Sequence, residues 1–472
     1  MRPPGRVSFR RARYDRPVPG VPRVNGRDLT AGPVSAHLLR LTLPMVVGVF
    51  AVISVGLADA YFVGRLGDTE LAAISFIFPV TTALTSLGIG LSAGANALVS
   101  QALGAGRPEA ARCTAAHAIL FSLALGIVAA VAGYRLIDPL FALLNAQPDV
   151  LPAIASYLEV WYYGFPLLVI LLVTNALMRA HGAALAPASI MVLNAVFNIG
   201  LNPVLIFGWG PIPALGIAGA STATLCAFAI SLLASAWPVL KTFAVVRPGD
   251  FASPGLLASI RRIGGIGGPA AFANAINPAG LAIVTSVVAG FGAATVAGFG
   301  AAGRIQSFAL VPLLGLSGSI GALIGQNWGA GETGRAGRAL VLASAFCLGY
   351  GLLAAVVLNL FAGSIARQFS DEPAVHAQTV LYLRIVAWTF FGYGLLIVAN
   401  ACLNARSRSL PSMLLSLLRI AGLYVPLAWL GARLFEQAGV YAAAAAANVV
   451  AGLAALVVAR RYGLLSPSTP RS

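Results

Sequence analysis

The sequence predicts an all-α polytopic membrane protein with twelve transmembrane helices in two pseudo-symmetric six-helix bundles. Of its 472 residues, 59% are hydrophobic and only 9% are charged, whereas soluble domains carry about 25% charged residues. Apolar windows of membrane-spanning length recur along nearly the whole chain. The second half of the chain also repeats motifs of the first half at a constant offset, which predicts two related bundles.

The predicted spans fall into two sets of six. The N-lobe, residues 34–240, contains Leu38–Val63, Leu71–Leu103, Ala115–Leu143, Leu151–Ala180, Pro187–Phe207 and Ile217–Leu240. The C-lobe, residues 263–461, contains Ile263–Phe291, Thr295–Ile324, Ala336–Phe361, Val380–Leu403, Leu410–Leu430 and Val440–Ala459. Residues 241–262 are predicted to be a cytoplasmic linker. Residues 1–33, rich in Arg, Pro and Gly, predict a disordered basic tail, and residues 462–472 a C-terminal tail.

The internal repeat is clearest at two short motifs. QALGAG at 101–106 matches QNWGAG at 326–331, an offset of 225 positions, and the same offset places Asn175 on Asn400. Each half has an even number of spans, so the halves share one orientation and are related by an axis along the membrane normal. Transporters built in this way place their site between the halves and work by rocking one half against the other.

Basic residues predict the orientation in the membrane. One set of alternate loops, together with both tails, carries Arg107, Arg112, Arg179, Lys241 through Arg262, Arg335, Arg338, Arg406, Arg408, Arg460 and Arg461. The opposite loops hold only Arg65, Arg135, Arg367 and Arg433. Because positive charge favours the cytoplasmic side, we expect a multi-pass protein of the inner (plasma) membrane with both termini cytoplasmic.

Several functional classes are disfavoured by the composition. The net charge of +16 lies in tails and loops, so nucleic-acid binding is not expected, although a role of this kind for the basic tail alone is a separate alternative. The four cysteines and four histidines are scattered, which disfavours a metal site. No nucleophile–base pair or phosphate-binding loop is visible, so we expect no enzyme activity and no cofactor.

Asp59 is the most informative residue of the first span. A carboxylate at such a position costs ~2.5–3.5 kcal/mol on insertion scales, so it normally faces a bundle interior and has a function there. Its repeat mate is Val284, which confines the carboxylate to the N-lobe. A purely structural Asp, bound by a neighbouring helix, is the alternative.

The fifth span supplies polar neighbours for such a carboxylate. Asn194, Asn198 and Asn202 are four residues apart and lie on one helix face, and Pro203 follows them. Amides of this kind either form helix–helix hydrogen bonds or contribute to a site, and both interpretations stay open for Asn198 and Asn202.

Residues 38–460 resemble the multidrug and toxic compound extrusion (MATE) transporters. The resemblance rests on LPMVVGVF, DAYFVGRLGDTELAAIS, QALGAG, NIGLNPVLIFG, GIAGASTAT, PLLGLSGSIGALIGQNWGAG and the repeat. It implies two bundles around a central cavity and export of organic, often cationic, compounds driven by inward H⁺ or Na⁺. It also implies ion-coupling roles for Asp59, Asn198, Asn202, Thr224 and Asn175. Asn202 departs from the family pattern, because an acid is expected at that position.

The C-lobe lacks the acids that some family members carry on the seventh and tenth helices. We therefore expect an apolar and aromatic cavity wall there, with Phe272, Phe299, Trp388, Phe390 and Phe391 as candidates. For each of these residues, ordinary packing or lipid contact is the alternative to substrate contact.

Together these features predict a secondary active antiporter. It would export organic, lipophilic and cationic compounds, including drugs, by alternating access in exchange for H⁺ at Asp59. Na⁺ bound by Asp59, Asn198 and Asn202 is the alternative coupling ion. We expect a monomer in the lipid bilayer, with small-molecule substrates as its partners. The alternative function is a flippase for a lipid-linked saccharide or another anionic amphiphile, which predicts cationic side chains such as Arg304 and Arg384 in the cavity.

Overall fold

The computed structural model describes residues 28–144 and 146–465, and nearly all of them are helical. The first half forms α1 (Val34–Gly64), α2 (Asp68–Gly104), α3 (Pro108–Arg135), α4 (Ile137–Leu143), α5 (Leu151–Ala180), α6 (Leu185–Phe207) and α7 (Ile217–Trp237). The second half forms α8 (Leu256–Ala289), α9 (Ala293–Ala309), α10 (Val311–Gly329), α11 (Thr333–Leu360), α12 (Ala362–Arg367), α13 (Pro373–Val386), α14 (Phe390–Ala405), α15 (Ser409–Leu417) and α16 (Val425–Arg461).

These helices supply the twelve predicted membrane crossings. Within the described residues, ten helical segments are long and apolar enough to span a membrane, and α9 with α10, bent by 47°, forms an eleventh. The segment Ser409–Arg461 is 53 residues long, more than twice the ~20 residues that one crossing needs. Its backbone is not helical at Phe435 and Glu436, where φ of Glu436 is +51°. This break divides the segment into two crossings.

Several helices extend beyond the apolar stretches that predicted them. α3 begins at Pro108 and α8 at Leu256, whereas the sequence predicted starts at Ala115 and Ile263. Hydropathy identifies only the apolar part of a helix, whereas polar turns that continue the helix beyond the membrane are also helical. Because α8 begins at Leu256, only the first part of residues 241–262 is a linker. It contains the short 3-10 turn Pro248–Ala252, and Asp250 of this turn forms an ion pair with Arg112 at 3.6 Å.

The residues directly before α1 are packed against the second half of the chain. Leu29 is fully buried, and its backbone N–H donates to Gln326 Oε1 at 3.0 Å. Its carbonyl accepts from Asn327 Nδ2 at 3.1 Å and from Arg335 Nη2 at 3.3 Å. The disordered tail was predicted to reach residue 33, and this prediction was wrong for residues 28–33. The remainder of that tail lies outside the described residues. Residues 466–472 of the predicted C-terminal tail also lie outside them.

The first helix of each half contributes to the core of the other half. Leu38, Leu41 and Met45 of α1 belong to the core formed mainly by α9 to α16. Ile263 and Ile266 of α8 belong reciprocally to the core formed by α2 to α7. The halves are therefore joined through the starting ends of their first helices.

The two halves also meet where the repeated motifs end α2 and α10. We call this end of the bundle, with the termini of α2, α5, α10 and α14, the arginine-rich end. Gln101 Nε2 donates to the Ala405 carbonyl at 2.6 Å, and Gln326 Nε2 donates to the Ala180 carbonyl at 2.7 Å. Donors and acceptors are both related by the 225-residue offset, so the same hydrogen bond is made twice, once in each direction.

Two glycines allow this close approach. The backbone of Gly104 lies directly on the Gln326 carbonyl, and that of Gly329 lies on the Gln101 carbonyl, so a Cβ at either position would overlap a backbone atom. The reciprocal contacts close the arginine-rich end between the halves.

Candidate functional site

Asp59 is joined to the predicted amides by a short chain of hydrogen bonds. Asn202 Nδ2 donates to Asp59 Oδ1 at 2.6 Å and lies 3.2 Å from Asn198 Oδ1. Asn198 Nδ2 donates to Thr224 Oγ1 at 2.9 Å, and the Thr224 hydroxyl donates to the Ala220 carbonyl within α7. The structure therefore brings together four of the five residues predicted for ion coupling, from α1, α6 and α7.

The local sequence explains this arrangement. Asn198 and Asn202 are four residues apart on α6, which places both amides on one face, and both are fully buried. Asp59 is half-buried five residues before the end of α1, and Asn202 lies five residues before the end of α6. The helices run in the same direction, so the two side chains meet at the same depth, near the end of the bundle opposite the arginine-rich end.

The carboxylate has amide neighbours but no guanidinium partner. Across residues 28–144 and 146–465, the one ion pair is Arg112 with Asp250, so no arginine is bound to Asp59. Asn202 Oδ1 is buried without a hydrogen-bond partner among the described residues. An acceptor oxygen beside a carboxylate can take a proton-bearing group or a small cation, so the site is chemically suited to exchange either.

Tyr157 is a further neighbour that the sequence did not identify. It is buried on α5, six residues after the start of that helix and so toward the same end of the bundle as Asp59. The only signal in the sequence was the repeat, in which Tyr157 corresponds to Tyr382.

Asn175 does not join the Asp59 cluster. It is buried on α5 five residues before Ala180, near the arginine-rich end, whereas Asp59 lies near the opposite end. Its Oδ1 has no hydrogen-bond partner in the described part of the chain. A role of Asn175 in ion coupling stays a prediction that the hydrogen bonds do not support.

A cavity of about 250 Å³ lies between α2, α8, α10, α14 and α15, with the end of α5 at its edge. Its wall is mixed: amides and hydroxyls from all five helices face it beside alanine, glycine, leucine and isoleucine residues, and Tyr393 is the single aromatic residue among the described residues that line it. None of the described residues that line it is acidic. The five predicted aromatic residues are absent from this wall.

The structure places those aromatic residues in two other environments. Phe299 and Phe390 are buried in the core of the second half, where the Phe299 ring stacks on Tyr441 with centroids 6.2 Å apart. Phe272 and Trp388 are 49% and 44% exposed, and Phe391 packs against the core. The expected aromatic wall is therefore not the lining of this cavity: three of these rings pack in or against the C-lobe core, and the other two are exposed elsewhere.

The cationic side chains at the cavity also differ from those predicted. Arg304 and Arg384 are exposed and do not line it. Arg179, at the end of α5, does line it. Arg419, buried in a π-helical segment Leu418–Tyr424, reaches the cavity residues Asn277, at 2.9 Å, and Tyr393, 4.6 Å from the ring centroid.

Comparison with known proteins assigns this architecture to a family. The MatE family model matches residues 44–204 and 269–430, two segments that begin 225 residues apart, as the repeat does. The chain is 35% identical to the FAD transporter of Shewanella oneidensis, over 92% of this chain and 96% of that protein. It is 24% identical to the multidrug export protein MepA of Staphylococcus aureus, over 90% and 93% of the two chains.

The same assignment follows from solved structures. The crystal structure of the Vibrio cholerae MATE transporter VcmN in its bent form is similar, with a TM-score of 0.85 and 30% identity, over 91% of this chain and 97% of that one. MATE proteins are transporters and not enzymes, and the resemblance seen in the sequence motifs is confirmed. The chain belongs to the MATE family of multi-pass membrane transporters, with their fold of twelve helices in two lobes.

Proposed function

We propose that this protein is an ion-driven exporter in which Asp59 exchanges the coupling ion and an organic solute occupies the cavity between α2, α8, α10, α14 and α15. The observation that carries the proposal is the hydrogen-bond chain from Asp59 through Asn202 and Asn198 to Thr224. Intramembrane carboxylates are usually functional, and this one accepts a hydrogen bond from a neutral amide, which leaves its charge free to change.

Proton exchange would rearrange this chain. The ionised Asp59 accepts a hydrogen bond from the Asn202 amide. A protonated Asp59 would itself become a donor, and Asn202 Oδ1, on the amide that Asp59 already contacts, is a buried acceptor without a partner among the described residues. The amide would have to turn, and α1 would shift against α6. This is a local two-state change of the kind that biases a rocking motion between lobes.

Sodium is the second candidate for the coupling ion. Asp59, Asn198 and Asn202 offer oxygens, the ligands that hard cations prefer, but they include a single carboxylate. The small number of charges favours H⁺. Transport driven by separately imposed pH and Na⁺ gradients in proteoliposomes distinguishes the two.

The solute that we favour is polar and anionic, as FAD is, and not a lipophilic cation. The relative from Shewanella is an FAD transporter, and the cavity offers amides, hydroxyls and arginine without an acidic side chain among its described lining residues. A cation would find no counter-charge there. Basic residues at the arginine-rich end support a cytoplasmic position for that end, with export toward the opposite side.

The test compares Asp59→Asn with Glu159→Gln in proteoliposomes. Glu159 is an exposed acid on α5, so its variant makes the same chemical change within another span. We expect Asp59→Asn to lose gradient-driven FAD export at unchanged membrane yield, and Glu159→Gln to keep it. Full gradient-driven export by Asp59→Asn would refute the proposed role.

A further inference from the structure

We infer that the cavity near the arginine-rich end is a binding site for the diphosphate group of the transported solute, with Arg179 as its principal cationic ligand. This inference rests on the proposed function, and it names the chemical group of the solute that this cavity binds.

The first argument is the number of unpaired polar atoms at this one cavity. Oδ1 of Asn96, Asn400 and Asn404, Oγ of Ser412 and Nε of Arg179 are all buried without a hydrogen-bond partner in the described part of the chain, and all five residues line the cavity. Native proteins leave few buried polar groups unpaired, because each costs ~1–3 kcal/mol. Phosphate oxygens are acceptors, so they can pair directly with Arg179 Nε and Ser412 Oγ, and with each asparagine once its amide rotates to present Nδ2.

The second argument is charge. Two arginines approach the cavity, and neither has a carboxylate within ion-pair distance among the described residues. Arg419 is satisfied by neutral partners: its Nε donates to Asn448 Oδ1 at 2.9 Å and its Nη1 to Asn277 Oδ1 at 2.9 Å. Buried guanidinium groups normally have an anionic partner. An anionic ligand would supply the missing charge, whereas a cationic ligand would be repelled.

The third argument is the arrangement of the polar groups. Asn400 and Asn404 are four residues apart on α14 and line the cavity together, and Asn96 lines it from α2. Amides both donate and accept, and a guanidinium presents a planar set of donors that matches phosphate oxygens. The set therefore suits an anion with several acceptor oxygens better than a planar aromatic ring.

The size of the cavity limits what it can enclose. At about 250 Å³, it lies below the ~300–1,000 Å³ of sites that enclose a drug-sized ligand. It can hold a diphosphate with its adjoining sugar oxygens, while the remainder of a larger solute would extend between the lobes. This chemistry is shared by a soluble dinucleotide such as FAD and by a lipid-linked saccharide diphosphate, and the experiment separates the two sources.

The experiment measures binding by isothermal titration calorimetry to protein in lipid nanodiscs. The probes are FAD, riboflavin, which has the same ring system without phosphate, and undecaprenyl diphosphate incorporated in the nanodisc. Arg179→Gln is compared with Arg338→Gln, which removes the same charge at an exposed position of the same end. We expect Arg179→Gln to weaken FAD binding roughly tenfold to a hundredfold, the range for a lost charged hydrogen bond, and Arg338→Gln to leave it unchanged.

Two further variants keep the inference testable if Arg179→Gln fails to fold. Arg179→Lys retains the charge but loses the planar donor set, and Asn404→Ala removes one amide. Each should weaken FAD binding and leave riboflavin binding unaffected. Equal loss of FAD and riboflavin, or unchanged FAD binding in all three cavity variants, would overturn the inference.

The remaining outcomes separate the site from the coupling mechanism. Binding of undecaprenyl diphosphate that Arg179→Gln weakens, without FAD binding, would support a diphosphate site and overturn a soluble ligand. Absence of binding of both phosphate probes by the wild type would overturn the site itself. Asp59→Asn should bind FAD as the wild type does while losing gradient-driven transport. If it transports normally, the role of Asp59 fails and the diphosphate site stands.

Discussion

The reciprocal contact between the repeated motifs can be tested by adding one methyl group to each side. Gly104 and Gly329 end α2 and α10, and each backbone lies against the carbonyl of a glutamine in the other half, Gln326 and Gln101. In Gly104→Ala and Gly329→Ala, the new Cβ would fall inside the 3.0 Å that real Cβ atoms keep from other heavy atoms. The obstacle is a backbone carbonyl and not a flexible side chain, so the two halves must separate locally.

The expected magnitude follows from the cost of overpacking. Adding a methyl group to a close-packed contact costs ~1–3 kcal/mol, and here the cost falls only on the state in which the arginine-rich end is closed. Since about 1.4 kcal/mol changes an equilibrium constant tenfold, each alanine should lower the closed-to-open ratio roughly 5- to 150-fold. The double variant should spend most of its time open at this end and transport slowly, because alternating access needs both states.

The assay is a distance measurement by pulsed electron spin resonance, with transport measured in parallel. Spin labels at Arg107 and Glu332, in the turns that follow α2 and α10, report the separation of the halves. We expect the distances to lengthen in each alanine variant and most in the double variant. Gly349→Ala on α11 is the control, because a Cβ there meets nothing within 4 Å.

An unchanged distance distribution together with full transport in the double variant would refute this reasoning. Equal loss of transport in Gly349→Ala would also refute it, since the effect would then come from alanine in a helix and not from the contact.

Three further predictions follow from single contacts. Leu29→Ser removes a buried side chain at the ordered start of the chain and should lower stability by about 2 kcal/mol, seen as a lower Tm; an unchanged Tm would mean that this segment adds nothing. Thr224→Val removes the acceptor for Asn198 and should cost ~1–3 kcal/mol and slow transport, whereas Thr224→Ser should restore both; equal transport by the two variants would contradict a role for the hydroxyl. His181 lies in the connection after α5, and burial lowers its pKa below the ordinary 6.5. Just below pH 6.5, His181 is therefore protonated in the unfolded chain but remains neutral in the folded protein. Stability should therefore fall as the pH drops through 6.5, and a melting series on His181→Gln should show a flatter dependence; an identical dependence would refute it.

The predicted spans and the Asp59 cluster show what local sequence patterns can predict. Asp59 stood out because a charge among apolar residues is costly, and Asn198 with Asn202 stood out because four residues make one helical turn. Both signals are local, and the structure joins these three residues by hydrogen bonds. The role of Asn175 was implied by the resemblance to MATE transporters and not by a local pattern, and its depth in the bundle, near the opposite end from Asp59, depends on how far each helix extends.

The aromatic residues show what local sequence patterns cannot predict, namely which environment each side chain faces. Phe299 and Trp388 are equally apolar in sequence, but one is 6% and the other 44% exposed. Which face of a helix meets a cavity, a core or lipid depends on how the helix is rotated against its neighbours, and in a membrane every face can be apolar.

The sequence by itself determined the membrane class, the twelve spans, the duplication and the carboxylate of the first span, because hydropathy, repeat offset and charge are properties of the chain read in order. Only the tertiary structure decided that Gln101 and Gln326 exchange equivalent hydrogen bonds between the halves, and that Arg179, Asn96 and Asn404 face one cavity. These residues are up to 308 positions apart, and packing between helices, to which no local pattern refers, sets their distances.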